Sequence, residues 1–430
     1  MNRSAKVKNY KKRYIPSWIT PLKKFHIGER AQSGENFIRV VIPCFDEPDL
    51  LGVIQSLCQC EKPRYPVLVV IVINYPFGCS EEIQKRSKSQ LNDLLEKLTE
   101  KPFQWLNFTL IEAFDLPAKK SGVGLARKIG MDYAAIEIEQ DDNSVLVCLD
   151  GDCRVQKNYF KSLENHFERY LETPGCSIYY SHTRDDEKSD TFQSLAIQQY
   201  EMHLRLYSNM VKKTGAPFGF HTVGSSMAVR TNEYLNLGGM NVKKAGEDFY
   251  FLQKFMKGRK FSRLQETTVF PSSRVSKRVP FGTGKAMLAV FESGNKLPEL
   301  RTYNGEIFEI LGEWLNNLEQ VYNYHDIRAG KPHEKLYEYL NSIETPRRIS
   351  QSIENSSNFQ TFKNQFYQFF DAFFIMKWAN HAQRSWCDSV LVNSEAKKFL
   401  IGEKWSGPLL SQQQLFEAMA MYDRSLGCID

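Results

Sequence analysis

The sequence predicts an α/β fold: an open, mostly parallel sheet flanked by helices, followed by an α-helical C-terminal region. Three observations carry this. Uninterrupted apolar runs such as "VLVVIVI" from Val67 have the character of strands buried on both faces, as in parallel sheets covered by helices. These runs alternate with segments of helical spacing, the rhythm of βαβ units. Past residue 285 the strands give out and amphipathic helical periodicity takes over.

In chain order, "FIRVVIPCF" is a β-branched run stopped by Pro43, and "DLLGVIQSL" sets Leu50, Leu51, Ile54 and Leu57 at helical spacing. "YPVLVVIVINYP" is a strand bounded by prolines, and a polar helical span follows from Ser80 to Glu100. "FTLIEAF" reads as a strand, "GVGLARKIGMDYAAIEIEQ" as a helix, and "VLVCLDGDC" as a further strand that runs into Asp150 and Asp152. Ligands of open α/β sheets collect beyond the carboxyl ends of strands, which is where this aspartate pair falls. In the helical region, Ile307, Leu311, Trp314, Leu318 and Val321 share one stripe and Phe362, Phe366, Phe370 and Phe373 another, both read as core, with "ENSSN" from Glu354 as a turn. The expected organisation is a basic N-terminal arm over 1–35, the sheet domain over 36–285 and the helical region over 286–430.

Composition limits the function classes. The net charge of +6, from 56 basic and 50 acidic residues, is too mild to argue for a nucleic-acid partner. The excess is local: "MNRSAKVKNYKKRY" reads as a solvated, mobile arm of the kind that touches anionic surfaces. Nine cysteines follow no disulfide framework, and Cys58 and Cys60 lack zinc-site spacing, so reduced thiols and a cytoplasmic setting are expected. No apolar run approaches the ~20 residues that span a bilayer, and the basic start lacks the apolar block of a signal peptide.

Two aspartates at a strand tip repel each other, and a divalent cation makes the arrangement favourable. Oxygen ligands suit Mg²⁺ or Mn²⁺, which keep positions open for phosphate. The competing reading of Asp152 is a cap on a helix beginning near Lys157. "VVIPCFDEPD" places Asp46 and Glu47 just after the first strand, and "SGVGLARKIG" puts Arg127 and Lys128 at a helix start, where backbone N–H groups attract anions. In "AGEDFYFLQKF", Glu247 and Asp248 occupy a first helical turn, favourable by dipole alone and equally suited to a general base. "FPSSRVSKRVPFGTGK" gathers Arg274, Lys277, Arg278 and Lys285 in a loop that is either simply solvated or built for phosphate.

Taken in order, these segments resemble the family 2 glycosyltransferases of GT-A fold, from about Phe37 to Lys285. "VVIPCFDE" is similar to the opening P-x-[YF]-[ND]-E signature, "GVGLARKIGMDYA" to G-x-x-x-A-R-N-x-G with Lys128 for Asn, "LDGDC" to D-x-D, and "GGMNVKKAGEDFYF" to the G-G…[ED]-D element. The resemblance implies a nucleotide-binding GT-A-like sheet, a nucleotide-sugar donor, Mn²⁺ or Mg²⁺, and inverting transfer of a single sugar to an acceptor hydroxyl. Residue by residue, it implies that Pro43 and Glu47 border the nucleotide, that Arg127 supports the donor and that Asp150 lies near ribose or metal. It further implies Asp152 as metal ligand, Asp248 as base with Glu247 on the acceptor side, and Arg274, Lys277 and Arg278 on a loop over the diphosphate. Asn74 stands near the place where the family reads uracil with an aspartate, leaving the base open. His221 is a candidate third metal ligand, with a structural role as its alternative. The Q-x-x-R-W element and membrane helices of processive synthases are missing.

The acceptor stays open among a glycan, a lipid-linked intermediate and a small polyol. Rival readings are a nucleotidyltransferase of similar fold, a D-x-D phosphohydrolase, and a non-catalytic nucleotide or sugar binder that kept the fold. The helical region is left with three roles to choose from: shaping the acceptor site, dimer contact, or peripheral membrane contact.

Overall fold

The computed structural model describes residues 3–19, 21–28, 38–100, 105–136, 143–182, 192–243, 246–258, 260–274, 288 and 300–429. Nine strands form one sheet: β1 (Lys23–Ile27), β2 (Ile38–Cys44), β3 (Val67–Pro76), β4 (Leu106–Leu116), β5 (Val145–Cys148), β6 (Arg154–Val155), β7 (Gly175–Tyr180), β8 (Met227–Arg230) and β9 (Ser262–Phe270). Their order is β1-β4-β3-β2-β5-β8-β7-β9-β6. The stretch β4-β3-β2-β5 is parallel throughout, as the βαβ reading requires. β8 runs antiparallel between β5 and β7, β7 and β9 are parallel, and antiparallel β1 and β6 close the two edges.

The helices are α1 (Arg3–Tyr14), α2 (Leu50–Cys58), α3 (Glu81–Glu100), α4 (Val123–Ile136), α5 (Tyr159–Arg169), α6 (Phe192–Lys213), α7 (Thr231–Asn236) and α8 (Glu247–Met256), with further helices from Glu306 onward. Side chains of a strand alternate between faces, and both faces here are apolar. Val70 and Val72 of β3 join the core under α4 and α6, while Val69, Ile71 and Ile73 join the one under α2 and α3. The first of these cores continues without a break into the helical region, taking in Trp314, Phe366 and Trp378.

Several details depart from the sequence reading. Leu51 is 37% exposed and Val53 is buried in its stead, because the buried stripe of α2 runs through Leu50, Val53, Ile54 and Leu57. The phenylalanine stripe is split: one helix ends at Phe369, the next starts at Ala372, and Phe373 is only half-buried. Two short strands, Arg301–Thr302 and Val390–Leu391, pair within the helical region. The basic arm is no loose tail. α1 docks by Arg3, Val7 and Tyr10, and the Tyr10 hydroxyl donates to Asp132 Oδ1 at 2.6 Å. Among the described residues no helix is long and apolar enough to cross a membrane. All nine cysteines are free.

Candidate active site

β3 lies on one side of β2 and β5 on the other, so the chain order reverses between β2 and β5. That reversal is the topological switch point of an open α/β sheet, where a crevice opens at the carboxyl ends. Pro43 lies beyond the last β2–β5 pair, Val41 with Cys148, so its missing N–H breaks no bond to β5 and the strands diverge there. Asp46 follows with φ 48°, a left-handed conformation that aspartate tolerates. It is held by a two-pronged bond from Arg86 at 2.8 and 2.9 Å.

This turn delivers Glu47, 5% exposed, to the loop after β5. The spacer of the aspartate pair is tight against it: a Cβ on Gly151 would lie 3.1 Å from Glu47 Cγ and 3.4 Å from Pro43 O. Beyond Asp152 the chain forms β6, which pairs with the end of β9 through Arg154 and Phe270. The segment after β9 therefore returns to the aspartates. Arg274 Nη2 sits 2.8 Å from Glu47 Oε1 and 3.2 Å from Asp152 Oδ2.

The second half of the site is organised by Arg127. It is buried in the first turns of α4 and forks to Asp150 with one nitrogen and to Glu247 of α8 with the other. Burial works against its charge, but the Asp150 and Glu247 carboxylates outweigh it and keep the guanidinium protonated. Gly224 gives it room, since a Cβ there would lie 2.4 Å from Nη1. Asp248, the next residue on α8, is half-buried and its Oδ1 accepts the Phe249 N–H at 2.7 Å. Its enclosure, and then the Glu247 charge, push its pKa up to about 7, with Arg127 as the tempering influence. Among the described residues no cation pairs with it. Beside α8 lies an apolar cavity of about 70 Å³ lined by Leu204, Tyr207, Phe218, Phe220, Val223 and Phe249.

The structure thus gathers Pro43, Glu47, Arg127, Asp150, Asp152, Glu247 and Arg274, with Asp248 at the margin. Asn74 lies two residues before the end of β3, buried, and its Oδ1 has no hydrogen-bond partner among the described residues. The cap reading of Asp152 does not hold: α5 starts at Tyr159 behind Asn158. Lys277 and Arg278 lie outside the described residues. His221 is committed elsewhere, its Nε2 standing 2.9 Å from Asp423 Oδ2, which argues against the third-ligand reading.

That aspartate belongs to a buried network that sequence reasoning did not find. Arg205 of α6 bonds Glu201 at 2.5 Å, Asp423 of the helix Gln412–Ser425, and the Tyr180 carbonyl at 2.7 Å, while His182 Nδ1 lies 2.8 Å from Glu201. Lys128 also points away from the cluster, to Asp132 at 2.9 Å and Tyr10 at 3.2 Å. Lys128 thereby contributes to the docking of α1.

Among the described residues Arg127 pairs with Asp150 and Glu247, and Arg274 with Glu47 and Asp152. Asp150 and Asp152 are part exposed, 36% and 24%, and offer the hard oxygen donors that Mg²⁺ or Mn²⁺ takes. The chemistry of this donor set fits such an ion.

No family model matches the chain, and no curated protein matches it. Among solved structures it is similar to Staphylococcus aureus TarS 1–349, at 14% identity over 76% of this chain and 89% of that one, with a TM-score of 0.35. The same fragment in complex with UDP-GlcNAc gives a TM-score of 0.38, and in complex with UDP 0.37, with the same identity and coverage. Likeness of that degree says nothing about the chemistry of this chain.

Proposed function

We propose that the chain is a nucleotide-sugar glycosyltransferase of the family 2, GT-A type, moving a single sugar to an acceptor hydroxyl with inversion. The observation that carries this reading is the Arg127 fork, which couples the aspartate pair at the switch point to the Glu247–Asp248 corner. A nucleotide at the switch point would meet Pro43 and Glu47, with the uncommitted Asn74 Oδ1 available to a base N–H. Arg274, displaced from Glu47 and Asp152, would turn its guanidinium to the diphosphate.

Asp150 and Asp152 would hold Mg²⁺ or Mn²⁺, which when bound supplies positive charge to the donor's diphosphate. Asp248, with a pKa near neutrality, takes the proton of the acceptor hydroxyl. The oxygen forms its bond to the anomeric carbon as the bond from that carbon to the diphosphate oxygen breaks. Arg127 holds Glu247 as an ion pair and so leaves Asp248 as the carboxylate able to act. The helical region, sharing a core with α6 and α8, would border the acceptor.

A thermal-shift screen of nucleotide-sugars with Mn²⁺ tests this. Ligand at a hundredfold over its Kd stabilises by about 2.7 kcal/mol, so a true donor raises Tm visibly. The rise should need the metal and be lost in Asp152→Asn. A rise that is independent of metal and unchanged by the substitution favours a plain binding protein.

A further inference from the structure

Far along the sheet, α5, β9 and the segment after the last helix bring three unlike side chains together. One ring nitrogen of His166, one carboxylate oxygen of Glu266 and Cys428 Sγ all lie within 4.8 Å of one another. The cysteine is held there by backbone. The Arg263 N–H donates to the Cys428 carbonyl at 2.7 Å, and Ile429 bridges to Ser262.

The hydrogen bonds around His166 accommodate a hydrogen on Nε2. Ser262 Oγ lies 2.8 Å from His166 Nε2, and the Gly175 carbonyl takes hydroxyl protons from Thr173 at 2.8 Å and Ser262 at 3.2 Å. With Ser262 donating to that carbonyl and accepting from His166, Nε2 carries the hydrogen and Nδ1 the lone pair; Thr173 Oγ1 also lies 2.9 Å from Ser262 Oγ. Nδ1 is buried with no hydrogen-bond partner, on a side chain only 4% exposed. A buried ring nitrogen without a partner is unfavourable, and a ligand there relieves it. Neutral imidazole is the form of histidine that ligates metals.

We propose that His166 Nδ1, a Glu266 carboxylate oxygen and the Cys428 thiolate form a zinc site, with water as the fourth ligand. Thiolate and imidazole together favour Zn²⁺ over Mg²⁺ or Mn²⁺, which sets this site apart from the all-oxygen pair at Asp150 and Asp152. Tetrahedral zinc bonds of about 2.0–2.3 Å set ligand atoms about 3.3–3.6 Å apart, so the cluster closes by up to about 1.5 Å. Exposed Glu266 and part-exposed Cys428 can make that movement. The Ser262 hydroxyl is the outer-shell partner that orients the imidazole. The ion would clamp the segment beyond Gln412–Ser425 to β9 and α5, and through that helix brace Asp423 against Arg205.

Cobalt titration of the chelator-stripped full chain tests the proposal by absorbance, independently of any transferase activity. The expected result is one equivalent of Co²⁺ with a thiolate-to-cobalt charge-transfer band, displaced by Zn²⁺. Cys428→Ser should abolish the band, and Glu266→Gln, at an exposed position where folding is safe, should weaken binding at least about tenfold. Ser262→Ala should weaken it about 10–100-fold, the usual loss when an outer-shell partner goes. A charge-transfer band that persists in Cys428→Ser, or a wild-type chain that takes up no stoichiometric cobalt, overturns it.

Discussion

At the scale of single residues, the account turns on which carboxylates are paired. Glu247 is buried and bound to Arg127, whereas no cation among the described residues pairs with its neighbour Asp248. Replacing Arg127 by Met strands Glu247 as a buried charge, and loss of one partner of a buried pair typically costs about 3–5 kcal/mol. Chemical denaturation of Arg127→Met should show a loss of that order, with donor binding impaired. Asp248→Asn should act oppositely on stability. A carboxyl whose folded pKa is raised to about 7, against an ordinary value of 3.8, binds more protons folded than unfolded, so it destabilises the fold as pH rises from about 4 to 7. The Asn variant, whose amide oxygen can still accept the Phe249 N–H, should melt higher than wild type at pH 8, with the gap closing toward pH 4. Much of this corner was legible in "AGEDFYF", because an acid pair at a helix start is a local signal. The committed state of His221 was not, because its partner Asp423 is 202 residues away.

Among elements, the parallel strands were legible because burial on both faces leaves an uninterrupted apolar run, and β2, β3 and β5 are buried along nearly their whole length. Helix orientation was less so. In α2 the choice between Leu51 and Val53 depends on the sheet beneath, which no local spacing encodes. The docking of α1 depends on Asp132, 122 positions from Tyr10, and a basic, weakly amphipathic segment gives no hint of it. The same holds for the tie between α6 and the helix Gln412–Ser425, where Arg205 meets Asp423. Burial raises both acids of that network, but Arg205, with His182 for Glu201 and His221 for Asp423, more than compensates, holding Glu201 at about 2 and Asp423 lower still. Carboxyls with depressed folded pKa values contribute stability that is present above about pH 4 and lost as pH falls through about 2. Asp423→Asn should therefore lower Tm at pH 7 and flatten its decline in acid, measured by melting from pH 7 to pH 3.

At the scale of the whole molecule, the sheet's switch point and the helical region meet through one continuous core, so the cluster around Arg127 is set in rigid material on several sides. The fold class follows from the strand and helix rhythm alone. The coming together of Glu47, Asp150, Asp152, Arg274 and Glu247 follows from topology: β6 pairing with β9, and α4 feeding Arg127 between β5 and α8. The central claim is that Asp248 deprotonates an acceptor at this cluster. Its most direct test is the pH dependence of kcat/KM for nucleoside diphosphate release from the donor found by screening, in wild type and Asp248→Asn. The account predicts a wild-type rate rising with pH to a plateau above about pH 7, and an Asn variant about 10²–10⁴-fold slower with no such rise. An Asn variant within about tenfold of wild type that keeps the same pH profile would contradict it.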